Sequence, residues 1–157
     1  SGRDRDRGRP GDVQQRVEMS AGYSGTPLPK KLGIVGDVVF TVRHAPPTFR
    51  ATLGDYGEAI WQHNLIAPID VVVAFFTEQS ALVAEWPALA EAAHPAGGVW
   101  ICWPKQASRV PTDITENALR ATLLKTGWVD NKVCAIDEVW SGLRFVLRKE
   151  NRPPWKR

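Results

Sequence analysis

The chain has 157 residues, of which 43% are hydrophobic and 24% charged, and a net charge of +3, the make-up of a globular protein with room for a core. No apolar run reaches the roughly 18 residues of a membrane span. Two cysteines and three scattered histidines (His44, His63, His94) give neither a disulfide framework nor a metal-ligand spacing. No metal and no membrane partner is therefore expected. Without an apolar leader the expected setting is cytoplasmic, with Cys102 and Cys134 as free thiols in apolar strands.

Charge is uneven. Residues 1–18 carry a net +1 and residues 143–157 a net +5, which leaves −3 on residues 19–142. A duplex binder places a basic stripe on its folded face, so nucleic-acid binding is not expected of the core. It remains an alternative for the basic last strand and tail.

Residues 1–18 alternate charges with almost no apolar side chains and are expected to be a disordered tag or upstream extension. Residues 19–149 are expected to form a single Rossmann-like domain, and 150–157 a basic tail. Residues 22–32 read as a loop with one helical turn at "PKKLG". Residues 37–43, "DVVFTVR", are a near-continuous apolar run, the pattern of a strand covered on both faces. A short helix is expected over 48–53 and a short strand somewhere in 58–65. The clearest strand is "IDVVVAFFT", 69–77. Residues 78–94 have a helical pattern, with a kink or break expected at Pro87. "GGVWICWP", 97–104, is a third buried strand. Thr112 is the expected N-cap of a helix over 113–126, which Gly127 ends. Strands over 132–137 and 143–148 are joined at hairpin length.

Apolar strands alternating with helices predict an α/β fold. The expected form is a Rossmann-like three-layer sandwich, with a mostly parallel sheet of 5–6 strands and an antiparallel strand from a C-terminal hairpin. In such folds the loop after the first strand holds a nucleotide through backbone N–H groups, which glycines expose. Here that loop is "RHAPPTF". Pro46 and Pro47 remove two donors, leaving Arg43 and His44 to act by side chain. No acid closes a recognisable second strand unless Glu58 does. No catalytic residue and no cofactor is expected on these grounds.

Ligands of open α/β sheets sit beyond the carboxyl ends of the strands. That rule singles out Glu78 and the run holding Lys105, Ser108, Thr112 and Asp113, where an anion could meet a lysine, hydroxyls and a helix N-terminus. Asp137, Trp140 and Arg144 are expected to crowd the hairpin end, either as a partner surface or as an Asp–Arg pair with a Trp plug. Seven tryptophans are expected mostly in the core, and any exposed together would mark a partner surface.

"AGYSGTPLPKKLGI", "WPKQAS", "TDITE" and "VDNKVCAIDEVWSGLRFV" together resemble a family of small bacterial proteins defined as a domain of unknown function. More distantly, the element order is similar to the class I S-adenosylmethionine-dependent methyltransferase fold. That resemblance makes "IDVVVAFF" its fourth strand, "GGVWICWP" its fifth, and the last two strands its terminal antiparallel pair. It puts the family's glycine-rich motif at residues 43–49, where this chain has none.

The leading expectation is thus a non-enzymatic interaction or regulatory domain, with a small anionic ligand or a protein as partner. The alternative is a divergent methyltransferase-like enzyme in which Lys30, Lys31 or Glu78 compensates for the lost glycines. It predicts a deep pocket lined by the loops after Arg43, Thr77 and Trp103.

Overall fold

A computed structural model describes residues 25–153. The expectations for residues 1–18 and for the end of the tail lie outside the described residues. The strands are β1 (Val39–Arg43), β2 (Ile60–Trp61), β3 (Ile69–Phe75), β4 (Ala93–Pro104), β5 (Trp128–Ala135) and β6 (Trp140–Leu147). The helices are α1 (Leu28–Leu32), α2 (Phe49–Leu53), α3 (Gln79–Ala92) and α4 (Glu116–Leu123).

The strands form one sheet in the order β2-β1-β3-β4-β6-β5. The first four are parallel, and β6 runs antiparallel to both β4 and β5. The chain steps from β1 outward to β2, then returns to β3 and steps the other way to β4. Right-handed crossovers in opposite directions place their helices on opposite faces. Leu28 and Leu32 of α1 and Phe49 and Leu53 of α2 pack with Val71, Val73, Phe75 and Trp100. Leu82, Trp86 and Leu89 of α3 and Leu119 and Leu123 of α4 pack on the other face with Val72, Ala74, Ile101 and Phe145. The three-layer α/β arrangement with its antiparallel hairpin is as expected.

Several local expectations are corrected. α3 runs through Pro87 without ending. α4 begins three residues later than expected: Thr115 is its N-cap, its hydroxyl accepting from Ala118 N at 3.0 Å. Thr112 instead donates to Thr77 O at 2.6 Å, a tertiary bond no local pattern encodes. Gly127 does stop the helical segment, after a 3-10 turn, with φ 95°. The hairpin strands begin earlier than expected, and β5 includes the polar run Asp130–Asn131–Lys132, which absorbs a bulge. Among the described tryptophans, Trp86, Trp100, Trp103 and Trp128 are buried and Trp61 and Trp140 half-buried, so no exposed tryptophan patch forms. Among the described residues, no helix is long and apolar enough to cross a membrane.

Candidate functional site

The chain reverses its lateral direction between β1 and β3, which opens a crevice beyond their carboxyl ends. A cavity of about 250 Å³ lies there, lined by His44, Phe75, Phe76, Thr77, Glu78, Ala81 and Glu85. Arg43 ends β1 and His44 follows it with φ 59°, a left-handed conformation uncommon in non-glycine residues. The turn is held by Glu85 of α3. His44 Nε2 lies 2.6 Å from Glu85 Oε1, and Arg43 Nε donates to Glu85 Oε2 at 3.3 Å. The His44 ring also packs against Phe76, centroids 5.5 Å apart. Glu78 precedes α3 with an extended backbone, makes no capping bond, and is exposed at the crevice.

Glu85 escapes the sequence argument above. Its signal was available: Glu78, Ala81 and Glu85 fall three to four residues apart, on one helical face.

A second cavity, of about 560 Å³, lies beyond β4 and is lined by Trp103, Lys105, Gln106, Arg109, Thr112, Glu116 and Ser141 among others. Lys105 is occupied: its Nζ donates to Asp137 O at 2.7 Å and its backbone N to Val139 O at 2.7 Å, tying this loop to the hairpin. Ser108 turns inward on its own loop, donating to Lys105 O at 2.7 Å. Asp113 caps the neighbouring helix, accepting from Gln79 N at 2.7 Å. Lys105 and Thr112 thus share a cavity, while Ser108 and Asp113 serve the backbone around it.

The crowding expected at the hairpin end does not form. Asp137 Oδ1 accepts from Val139 N and Trp140 N, both at 2.8 Å, and so builds the turn. Trp140 pairs with Pro104 and packs edge-on against Phe75, at 5.1 Å. Arg144 lies four residues further along β6, opposite Trp100, too far along the strand to pair with Asp137. Lys31 borders a separate cavity of about 260 Å³ with Thr52 and Ile136, and Lys30 is exposed on α1. Neither lysine lines the crevice, and the loops expected to share one deep pocket line two cavities instead.

The residues at the crevice do not fit S-adenosylmethionine held in a backbone cradle. Pro46 and Pro47 offer no N–H, and Phe49 N is bonded to Pro46 O at 3.0 Å. Glu58 is exposed and precedes β2, at the amino end of that strand. The residue that follows β2 is Gln62, whose amide donates to Asn64 O and Ile66 O.

Burial raises the thiol pKa of both cysteines, that of Cys102 well above its ordinary value. A raised pKa lowers the thiolate fraction of each, and the thiolate is the nucleophile.

No family model and no curated protein matches the chain. Solved structures do match. A putative type 11 methyltransferase from Sulfolobus solfataricus superposes with a TM-score of 0.57, covering 83% of this chain and 95% of its own, at 10% identity. The ribosomal protein L11 methylase from Lactobacillus delbrueckii subsp. bulgaricus gives 0.51, covering 89% and 86%, at 12% identity. The expectation of a non-enzymatic interaction or regulatory domain is overturned by these matches. It rested on one missing loop, whereas the architecture around that loop is shared with methyltransferases. At such identities the likeness is one of fold, and the fold of this chain is that of the class I S-adenosylmethionine-dependent methyltransferases.

Proposed function

We propose that this chain is a divergent methyltransferase-like enzyme in which side chains have replaced the glycine-rich loop of the cofactor crevice. The observation that carries this reading is the position of the cavity at His44, Thr77 and Glu78. It lies where the strand order reverses, which is where open α/β sheets take their ligands.

The crevice has the chemistry for a nucleoside bearing a cationic group. Phe75 and Phe76, both buried, form its apolar floor, and Glu78 supplies an exposed carboxylate at the mouth. A carboxylate accepts from sugar hydroxyls and attracts an ammonium or sulfonium centre. Glu85, paired with Arg43 and hydrogen-bonded to His44, holds the β1 turn over this surface. The free thiols at Cys102 and Cys134 suit a reducing, cytoplasmic setting. The functional unit in this reading is residues 19–149.

Titration calorimetry of the full chain with S-adenosylmethionine and S-adenosylhomocysteine tests the reading. Saturable binding is expected, weakened about tenfold by Glu78→Gln, the effect of losing one charge-assisted hydrogen bond. No heat of binding at millimolar ligand overturns it.

A further inference from the structure

A second site lies away from the crevice, on the α1 side of the sheet. Trp100 is fully buried there and its Nε1 donates to Leu32 O at 2.9 Å. Arg144 is the cross-strand neighbour of Trp100, and Lys132 is the cross-strand neighbour of Arg144. The β4 residue beneath them is Gly98. A Cβ built there would lie 2.5 Å from Arg144 Nε and 2.8 Å from both Cζ and Nη2. The guanidinium therefore rests directly on the β4 backbone, in space that only glycine leaves.

This half-buried cation has little to compensate it. Its one side-chain hydrogen bond is from Nη1 to Asn131 Oδ1, at a long 3.4 Å. Arg152 returns toward β6 after the last 3-10 turn and donates from Nε to Leu147 O at 3.0 Å. Burial, and secondarily the charge of Arg152, lowers the pKa of Arg144. The ion pairs among the described residues are made by Glu85 and by Arg120, so no described carboxylate pairs with Arg144 or Arg152. A partly desolvated guanidinium beside a like charge is costly unless an anion joins it. The planar fork of arginine matches a tetrahedral oxyanion in two hydrogen bonds, and the second arginine adds to the pull on a dianion.

We propose that Arg144, with Arg152 beside it, forms a phosphate-binding site floored by Gly98. The ligand is a phosphate group, inorganic or carried by a small nucleotide. The site is independent of the crevice, and its failure would leave the methyltransferase reading untouched.

The test is a titration of the full chain with inorganic phosphate at constant ionic strength, read as a thermal shift against chloride. Saturable stabilisation by phosphate is expected. Arg144→Gln should abolish it while raising the melting temperature without phosphate, because an unpaired charge is removed. Gly98→Ala keeps every charge but displaces the guanidinium, and should weaken phosphate about tenfold. Arg144→Lys, which keeps the charge but loses the fork, should do the same and stands in if Gly98→Ala does not fold. A parallel arm with adenosine monophosphate separates the sources: binding tighter than inorganic phosphate that is lost in Arg144→Gln and kept in Glu78→Gln identifies a nucleotide at this site. No response beyond chloride, or the same response in Arg144→Gln, overturns the proposal. So does salt-steep binding of a single-stranded oligonucleotide with no effect of phosphate.

Discussion

The carboxylate of Asp113 accepts the backbone N–H of Gln79, the first residue of α3, at 2.7 Å. The residues lie on different connections of the sheet, and with Thr112 bonded to Thr77 O they clamp the β4–α4 loop onto the start of α3. The positive end of α3, the natural place for an anion, is thus satisfied by the chain itself. Removing this cap with Asp113→Ala should cost about 1 kcal/mol, as other caps do, measured by denaturant unfolding. It should also loosen the loop around Thr112.

The left-handed backbone at His44 gives a second prediction. His44→Ala loses the contact with Glu85 and keeps the strained backbone. His44→Gly loses the same contact and relieves the strain. The glycine variant should be the more stable of the two by about 1 kcal/mol. Equal stabilities by chemical denaturation would mean that the turn is not held at φ 59°.

Thr41 is fully buried in β1 and its hydroxyl has no hydrogen-bond partner. Thr41→Val keeps the shape and removes the unsatisfied group. It should stabilise the protein by about 1 kcal/mol, seen as a higher denaturation midpoint with unchanged slope.

The cysteines should differ in reactivity. The raised thiol pKa of each lowers its thiolate fraction at pH 8, and the thiolate is the reacting form. Cys134 is half-buried and Cys102 fully buried. A disulfide reagent should label Cys134 slowly in the native state, and Cys102 only on unfolding. Labelling of Cys102 as fast as a free thiol would contradict the packing of β4 under β6.

Most of the sheet was legible because its inner strands are buried on both faces. "VVVAFF" in β3 and "GGVWICWP" in β4 advertise this as unbroken apolar runs. β5 was misplaced because it is an edge strand. Lys132 and Val133 are exposed, so selection for apolar residues is relaxed, and a bulge consumes the residue that breaks its alternation. The start of α4 was ambiguous because Thr112 and Thr115 are equally good caps, and only a bond to Thr77, 35 residues away, decides between them. The crevice itself was half-legible. The loss of the glycines could be read directly, but the Glu85 contact that replaces them joins residues 41 and 42 apart in sequence. In the sequence the missing loop is conspicuous, whereas the order of elements shared with solved methyltransferases emerges only from the assembled sheet.

A nucleoside held by side chains between β1 and β3 would be visible in a crystal structure of the full chain soaked with S-adenosylhomocysteine. The nucleoside is expected over the floor made by Phe75 and Phe76, with a hydroxyl or amino group on the Glu78 carboxylate and no main-chain bond from Pro46 or Pro47. A ligand cradled by backbone amides of residues 45–49, or an unchanged crevice at saturating ligand, would contradict it.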